Sequence, residues 1–174
     1  MSLTSGEKII IELLCDAARP AGKKEVDVEL VSSCVAHDEI WALGMHYPGL
    51  GLNEPLPPEA EQVAAILDMW VDIEYSYSNI SPADQIIVNS QVGAHAVIFD
   101  GFDANTGNQY HIAKRFIEDL GLWKNLTIAD LNSHSDNMSK HLKMLGKYQS
   151  LRGSQSSQLK HKPMTAGDIV SVCS

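Results

Sequence analysis

The sequence predicts an all-α protein, and two observations carry that prediction. Apolar residues recur at three- and four-residue spacing through most of the 174 residues, whereas the alternation that marks strands is almost absent. Residues that start or stop helices, such as Pro57-Pro58, Ser81-Pro82 and Gly121, separate the periodic segments. We therefore expect about seven or eight helices in a single compact domain spanning residues 1–174.

Four helices are predicted in the first half of the chain. The first begins at Thr4 or Ser5, ends at Arg19–Gly22, and carries an apolar stripe of Ile10, Leu13, Leu14 and Ala17. The second covers 26–45, with a candidate break at 37–39. A loop rich in proline and glycine follows, and Pro57-Pro58-Glu59 marks the start of the longest helix. The fourth runs from Ser81 to Val92.

The second half predicts three further helices. Residues 93–103 are apolar at their centre and suit either a short strand or a turn. A helix capped by Asn105 or Thr106 ends at Gly121, and one capped by Ser133 or Ser135 ends at Gly153. The polar stretch near 153–163 predicts a flexible link. A short closing helix then runs from Thr165 to Val172.

Charge is divided unevenly along the chain. Residues 1–136 carry a formal charge of −14 and residues 137–174 carry +5, which together give the net −9. The acidic excess disfavours nucleic acid as a partner and favours a basic protein or a second copy of the chain. Four aromatic residues are also expected at the surface: Trp41, Tyr47, Tyr75 and Tyr77. Together with the divided charge, they predict a homo-oligomer.

Three lysines, Lys140, Lys143 and Lys147, share one face of the helix expected over 135–152. That face suits a solvated surface, an interface with an acidic protein, or a contact with nucleic acid. The sequence leaves these three interpretations open.

Several kinds of site and location are not indicated by the sequence. No apolar run approaches a membrane span and no secretion signal is present, which predicts a cytoplasmic protein. Three cysteines without a CxxC pair favour reduced thiols over disulfides or zinc. His37-Asp38 lacks an upstream histidine that would complete a metal site. Neither phosphate-binding glycine loops nor serine nucleophile elbows occur, so we expect no metal and no cofactor.

One group of short motifs is distinctive by its order and spacing. It consists of Gly101-Phe102-Asp103, Tyr110, Arg115-Phe116, Asn132-Ser133-His134 and Lys143-Met144-Leu145. In these motifs the chain resembles the YfbU-like family, small bacterial cytoplasmic proteins without an established function. The resemblance extends over nearly the whole chain. It implies an all-α, homo-oligomeric protein and assigns no catalytic residues.

The motifs contain a candidate polar cluster with two interpretations. Its members are Gly101, Asp103, Arg115, Asn132, Ser133 and His134, which we expect to meet in space. In the structural interpretation, Gly101 makes a turn, Asp103 and Asn132 cap the helices that follow, and Arg115 pairs with Asp103 or backbone carbonyls. In the other, the same groups hold a small anionic ligand.

Three functions therefore remain open at this point. The first is a non-enzymatic, oligomeric protein-binding module, favoured by the segregated charge and the missing catalytic motifs. The alternative is a small-molecule hydrolase with a polar site around Asp103, Arg115 and His134. The third is a regulator that contacts nucleic acid through the basic C-terminal segment.

Overall fold

The computed structural model describes residues 3–21, 25–52, 54–128, 130–154 and 162–174. Within these ranges the chain is all-α, as predicted, and its regular β structure is limited to an isolated parallel bridge between Phe102 and Asn132. The eight α-helices of the described residues are α1 (Ser5–Ala18), α2 (Val28–Ala36), α3 (Ile40–His46), α4 (Pro58–Asn79), α5 (Pro82–Val92), α6 (Gln109–Lys114), α7 (Met138–Ser154) and α8 (Ala166–Cys173).

The predicted helix starts are confirmed where a side chain caps the helix. Thr4 and Glu7 form a complete capping box on α1, and Thr165 forms another with Asp168 on α8. The Ser81 side chain accepts a hydrogen bond from a backbone amide in the first turn of α5. These starts depend on neighbouring residues only, which is why the sequence locates them well.

The helix predicted over 26–45 is two helices. The first of them, α2, ends at Ala36, and α3 begins at Ile40. Between them Asp38 adopts a positive φ of 58°. Residues 93–103 contain a short 3-10 helix, Ala94–Val97, and no regular strand. The alternative of a turn is therefore the observed one.

Two further predicted helix starts are wrong, for a shared reason. The side chains expected to cap the helices are used in preceding turns. Asn105 and Thr106 donate hydrogen bonds to the Asp103 carboxylate, and α6 begins only at Gln109. Ser133 donates its hydroxyl to the carbonyl of a neighbouring serine, and α7 begins at Met138. A π-helical segment, Arg115–Asp119, continues α6.

The chain divides into two compact units by its own contacts. Unit 1 comprises Met1–Pro57 with Glu118–Leu120. In it α1 packs on α2, and α2 packs on α3. Its buried side chains come from all three helices: Cys15, Leu30, Cys34, Val35, Trp41, Ala42 and Leu43. The single-domain organisation stays a prediction.

Unit 2 comprises Pro58–Ile117 with Gly121–Ser174, and α4 is its central helix. α4 contacts α6, α7 and α8, while α8 also packs on α5 and α7. The apolar face predicted for α4 is confirmed by five side chains without solvent exposure: Val63, Ile66, Leu67, Trp70 and Ile73. The closing helix is confirmed as α8. Most of the predicted flexible link, residues 155–161, lies outside the described residues.

The acidic residues of α4 bind the loops of unit 2. Glu74 accepts backbone amides from Phe99 at 3.0 Å and from Thr127 at 2.8 Å. Asp68 accepts the indole N–H of Trp123 at 2.8 Å. Part of the acidic excess therefore holds loops of unit 2 in place.

Candidate functional site

Two loop segments of unit 2 meet side by side, and we call them the loop joint (residues 101–106 and 130–134). Phe102 N–H donates to the carbonyl of Leu131 at 2.8 Å, and Ser133 N–H donates to the carbonyl of Phe102 at 3.0 Å. Gly101 has a φ of +78°, and a Cβ there would lie 2.4 Å from the Leu131 oxygen. Only glycine suits this close approach. The predicted turn at Gly101 is thus observed.

Asn132 and Asp103 make local hydrogen bonds within the loop joint. Asn132 Oδ1 accepts the backbone amides of Ala104 and His134, each at 3.1 Å. The prediction that Asn132 caps the following helix is therefore wrong, because α7 begins only at Met138. The Asp103 carboxylate accepts the backbone and side-chain amides of Asn105 and the hydroxyl of Thr106. The backbone bond from Asn105 is the main cause that lowers the pKa of Asp103. Asp103 therefore stays ionised and closes a turn, where the sequence predicted a cap on the following helix.

His134 is the exposed member of the predicted cluster. Its side chain is 71% exposed, and its Nε2 lies 3.5 Å from Asp130 Oδ2. Its backbone has a positive φ of 53°. The positive charge that His134 can carry also contributes to the lowered pKa of Asp103. Asp103, Asn132, Ser133 and His134 thus lie together at the loop joint.

Arg115 lies on a different element from the other cluster members. It opens the π-helical segment after α6 and is buried, with 7% of its surface exposed. The hydrogen bonds described for the Asp103 carboxylate come from Asn105 and Thr106. The pairing of Arg115 with Asp103 and its place in the cluster stay predictions.

Sequence reasoning missed His141, which lies beneath the loop joint. His141 has no solvent exposure and packs against the rings of Trp70, Phe99 and Phe102. Trp70 Nε1–H donates to His141 Nδ1 at 3.1 Å, and Nε2 lies 3.0 Å from the Gly101 carbonyl. Because Nδ1 accepts, Nε2 carries the proton. The ring therefore ties α4 and α7 to the loop joint in its neutral form.

A second buried polar group joins α4 to α7. Arg152 and the hydroxyl of Tyr148, both on α7, donate to Asp72 Oδ2 on α4. Arg152 also donates to the carbonyl of Lys162 at 3.0 Å. Burial is the main cause that raises the pKa of Tyr148 to about 12. The sequence signal that could have identified these buried polar residues is their spacing, which places His141, Tyr148 and Arg152 on one face of α7.

The lysines of α7 have different surroundings. Lys140 pairs with Asp100 at 2.7 Å, and Lys147 donates to the backbone oxygen of Ser174 at 2.6 Å. Lys143 borders an open surface depression beside α8. Two of the three cations therefore have intramolecular partners.

Metal and thiol chemistry gain no support from the described part of the chain. No three His, Cys, Asp or Glu side chains in the described ranges converge as metal ligands. Cys15, Cys34 and Cys173 are free thiols, and burial is the main cause that raises the pKa of Cys15 and that of Cys173, the latter to about 11. Among the described helices, none is long and apolar enough to cross a membrane.

The surface of unit 1 has an unexpected apolar region on α1. Cys15 is buried, whereas the stripe that marks the helix in the sequence faces solvent. We call this region the outer face of α1; its members are Gly6, Ile9, Ile10, Leu13, Leu14 and Ala17. The four large side chains are between 58% and 64% exposed. Contiguous apolar surface of this kind is typical of interaction sites.

The aromatic residues expected at the surface are mostly covered. Trp41 is buried, and Tyr47 and Tyr77 are half-buried with their hydroxyls bonded to the backbone of Asp27 and the side chain of Asn89. Tyr75 is exposed, at 57%. The expectation is wrong for Trp41, because α3 turns its indole into unit 1.

Comparison with known proteins assigns the family. No curated protein and no solved structure matched the chain. The model of the YfbU domain matches residues 51–169, about two thirds of the sequence. That range contains the loop joint, His141 and the contact between Asp72 and Arg152, whereas α1 precedes it. The chain belongs to the YfbU family.

Proposed function

We propose that this protein acts in the cytoplasm as a non-enzymatic module that binds proteins, its own copies included. The observation that carries the proposal is the outer face of α1, where four aliphatic side chains are more than half exposed. Exposed apolar surface costs solubility, and proteins that keep a contiguous patch of it use it for association. The acidic charge on the first 136 residues favours a basic surface as a further partner.

The geometry of the loop joint supports the same proposal. The carboxylate of Asp103 and the amide oxygen of Asn132 are occupied by hydrogen bonds from their own loops. A catalytic or anion-binding group needs free donors or acceptors directed at its ligand. The polar cluster is therefore best explained as the connection that holds the two loops together.

The test is to place a charge on the outer face of α1. Leu13 is 62% exposed, so Leu13→Glu should fold normally and should reduce association. Ile86→Glu is the matched control, because Ile86 is 69% exposed and lies on α5. Mass is measured by light scattering at low and high salt, and bound proteins are captured on the immobilised chain.

We expect Leu13→Glu to lower the mass or the amount of captured protein at least several-fold, with Ile86→Glu like the unmodified chain. If Leu13→Glu changes neither measurement, the outer face of α1 is not a binding surface and the proposal fails.

A further inference from the structure

α1 is apolar on two sides. Its inner side contributes Ile11, which lines an apolar cavity of about 250 Å³ within unit 1, and the buried Cys15. The outer face covers an arc of about 140° at 100° per residue. A helix that is apolar on both sides is normally covered on both. The described residues of unit 1 leave the outer face exposed.

On the outer face, small and large residues occur in the same order whether the helix is read from its N-terminus or from its C-terminus. Counted from the midpoint between Ile10 and Leu13, the two small residues, Gly6 and Ala17, lie at equal distances. Ile9 and Leu14 do as well. A two-fold axis through this midpoint would bring side chains of similar size to the same level on two antiparallel helices.

We infer that α1 of one copy packs antiparallel against α1 of a second copy, about a two-fold axis between Ile10 and Leu13. This inference rests on the proposed function and names the partner and the geometry for the outer face of α1. Gly6 then lies at the level of the partner's Ala17, and Ile10 at the level of the partner's Leu13.

Charge and dipole both favour the antiparallel arrangement. The outer face itself carries no charged residue, so two acidic copies meet there without repulsion at the centre. Each helix places its negative C-terminal end beside the partner's positive N-terminal end, whereas a parallel pair would place like ends together. Asp16 in the last turn lies at the level of the partner's Glu7 but on the opposite edge of the face, and it pairs with Arg19 of its own chain.

The same charges disfavour two other occupants. A basic segment would find no acid on the outer face itself. An anionic membrane would be repelled by Glu7 and Asp16, which flank the face at its two edges. A second copy needs no acid on the outer face and brings no anionic lipid near Glu7 and Asp16, so it is the occupant that these charges favour.

The size of the face sets the expected strength. Four half-exposed aliphatic side chains and their neighbours provide on the order of 500 Å² per copy, or about 1,000 Å² in the pair. This is the lower limit for a specific interface. We therefore expect a weak, reversible dimer.

Cysteine pairing tests the geometry. With axes 8–10 Å apart and Cα atoms 2.3 Å from each axis, facing Cα atoms are about 3.5–5.5 Å apart, and the wider half of that range suits a disulfide. Two single variants are made, Gly6→Cys and Ala17→Cys. A Cβ at Gly6 meets nothing within 4 Å, so that change has no steric cost. The unmodified chain is the control for the native cysteines.

Each variant is oxidised alone and as an equal mixture at tens of micromolar. We expect the mixture to form a covalent dimer linked from residue 6 to residue 17, at least ten-fold above either variant alone and above the unmodified chain. Efficient self-linking of the single variants would show a parallel pair and overturn the inference. A mixture no better than the control would also overturn it.

A second measurement does not depend on disulfide chemistry. Ile10→Lys and Leu13→Glu should each weaken self-association several-fold, and mixing them should restore it, because positions 10 and 13 share a level in the antiparallel pair. Failure of both tests, while Leu13→Glu still reduces captured protein, would remove the antiparallel dimer and leave the proposed function standing.

Discussion

Replacing the buried histidine beneath the loop joint should destabilise the protein and change how its stability depends on pH. We choose His141→Leu because leucine fills much of the same space without a titrating group. Two hydrogen bonds are lost. The Gly101 carbonyl keeps a partner, since Asn137 Nδ2 also donates to it at 2.9 Å. Trp70 Nε1–H is left unpaired in a fully buried position.

The expected cost follows from that unpaired donor. A buried donor without a partner costs about 1–3 kcal/mol, and the altered shape adds on the order of 1 kcal/mol. We therefore expect the free energy of unfolding to fall by about 2–4 kcal/mol. For a chain of this length, that corresponds to a melting temperature lower by roughly 4–16 °C. Trp70→Phe should cost less in the His141→Leu background than alone, because it removes the unpaired donor.

The pH dependence has a definite sign. Burial is the main cause that lowers the pKa of His141 below its ordinary value, and the Gly101 carbonyl and Asp100 oppose it. Between that lowered pKa and about 6.5, the unfolded chain binds more protons than the folded protein. The contribution of neutral His141 to the free energy of unfolding is therefore complete above about pH 6.5. It declines by up to about 1.4 kcal/mol per pH unit as the pH falls below that value.

The assay is urea unfolding of wild type and His141→Leu at half-unit steps from pH 7.5 to 5. The difference between the two proteins should shrink as the pH falls, since the variant lacks this titration. Parallel profiles over that range would refute the argument that His141 is held neutral. A variant as stable as wild type at pH 7.5 would refute the energetic reasoning for the unpaired Trp70 donor.

Three further predictions concern contacts of unit 2. Arg152→Ala should lower the free energy of unfolding by ~2 kcal/mol because Asp72 loses its cationic partner. Adding Asp72→Asn to the same variant should recover part of that loss. Equal stability of Arg152→Ala and wild type in urea would contradict this prediction. Gly101→Ala should cost several kcal/mol, since its φ is +78° and its Cβ would meet a backbone oxygen at 2.4 Å, whereas Gly146→Ala on the exposed side of α7 should be neutral or stabilise by about 0.5–1 kcal/mol. Asn132→Ala should speed hydrogen exchange of the Ala104 and His134 amides, which donate to Asn132 Oδ1, whereas Asn132→Asp keeps an acceptor and should protect them. Unchanged exchange in Asn132→Ala would disprove the contribution of these two hydrogen bonds.

The candidate site shows how far sequence reasoning reached. The motifs at 101–103 and 132–134 predicted that two distant segments meet, and the structure places them side by side at the loop joint. The roles within them differed from the prediction, because Asp103 and Ser133 bond within their own turns. Short polar side chains have several neighbours in reach, and the choice among them depends on the backbone around them.

The sequence by itself determined the all-α class, the long central helix α4 and the helix starts at α1, α5 and α8, because capping and helical spacing depend on residues within one or two turns. Which apolar surface of a helix becomes buried depends on neighbours far along the chain. Only the tertiary structure therefore decided that the stripe of α1 faces solvent and that His141 lies in an aromatic core. Only the tertiary structure also decided that Asp72 pairs with Arg152, which lies 80 positions away in the sequence.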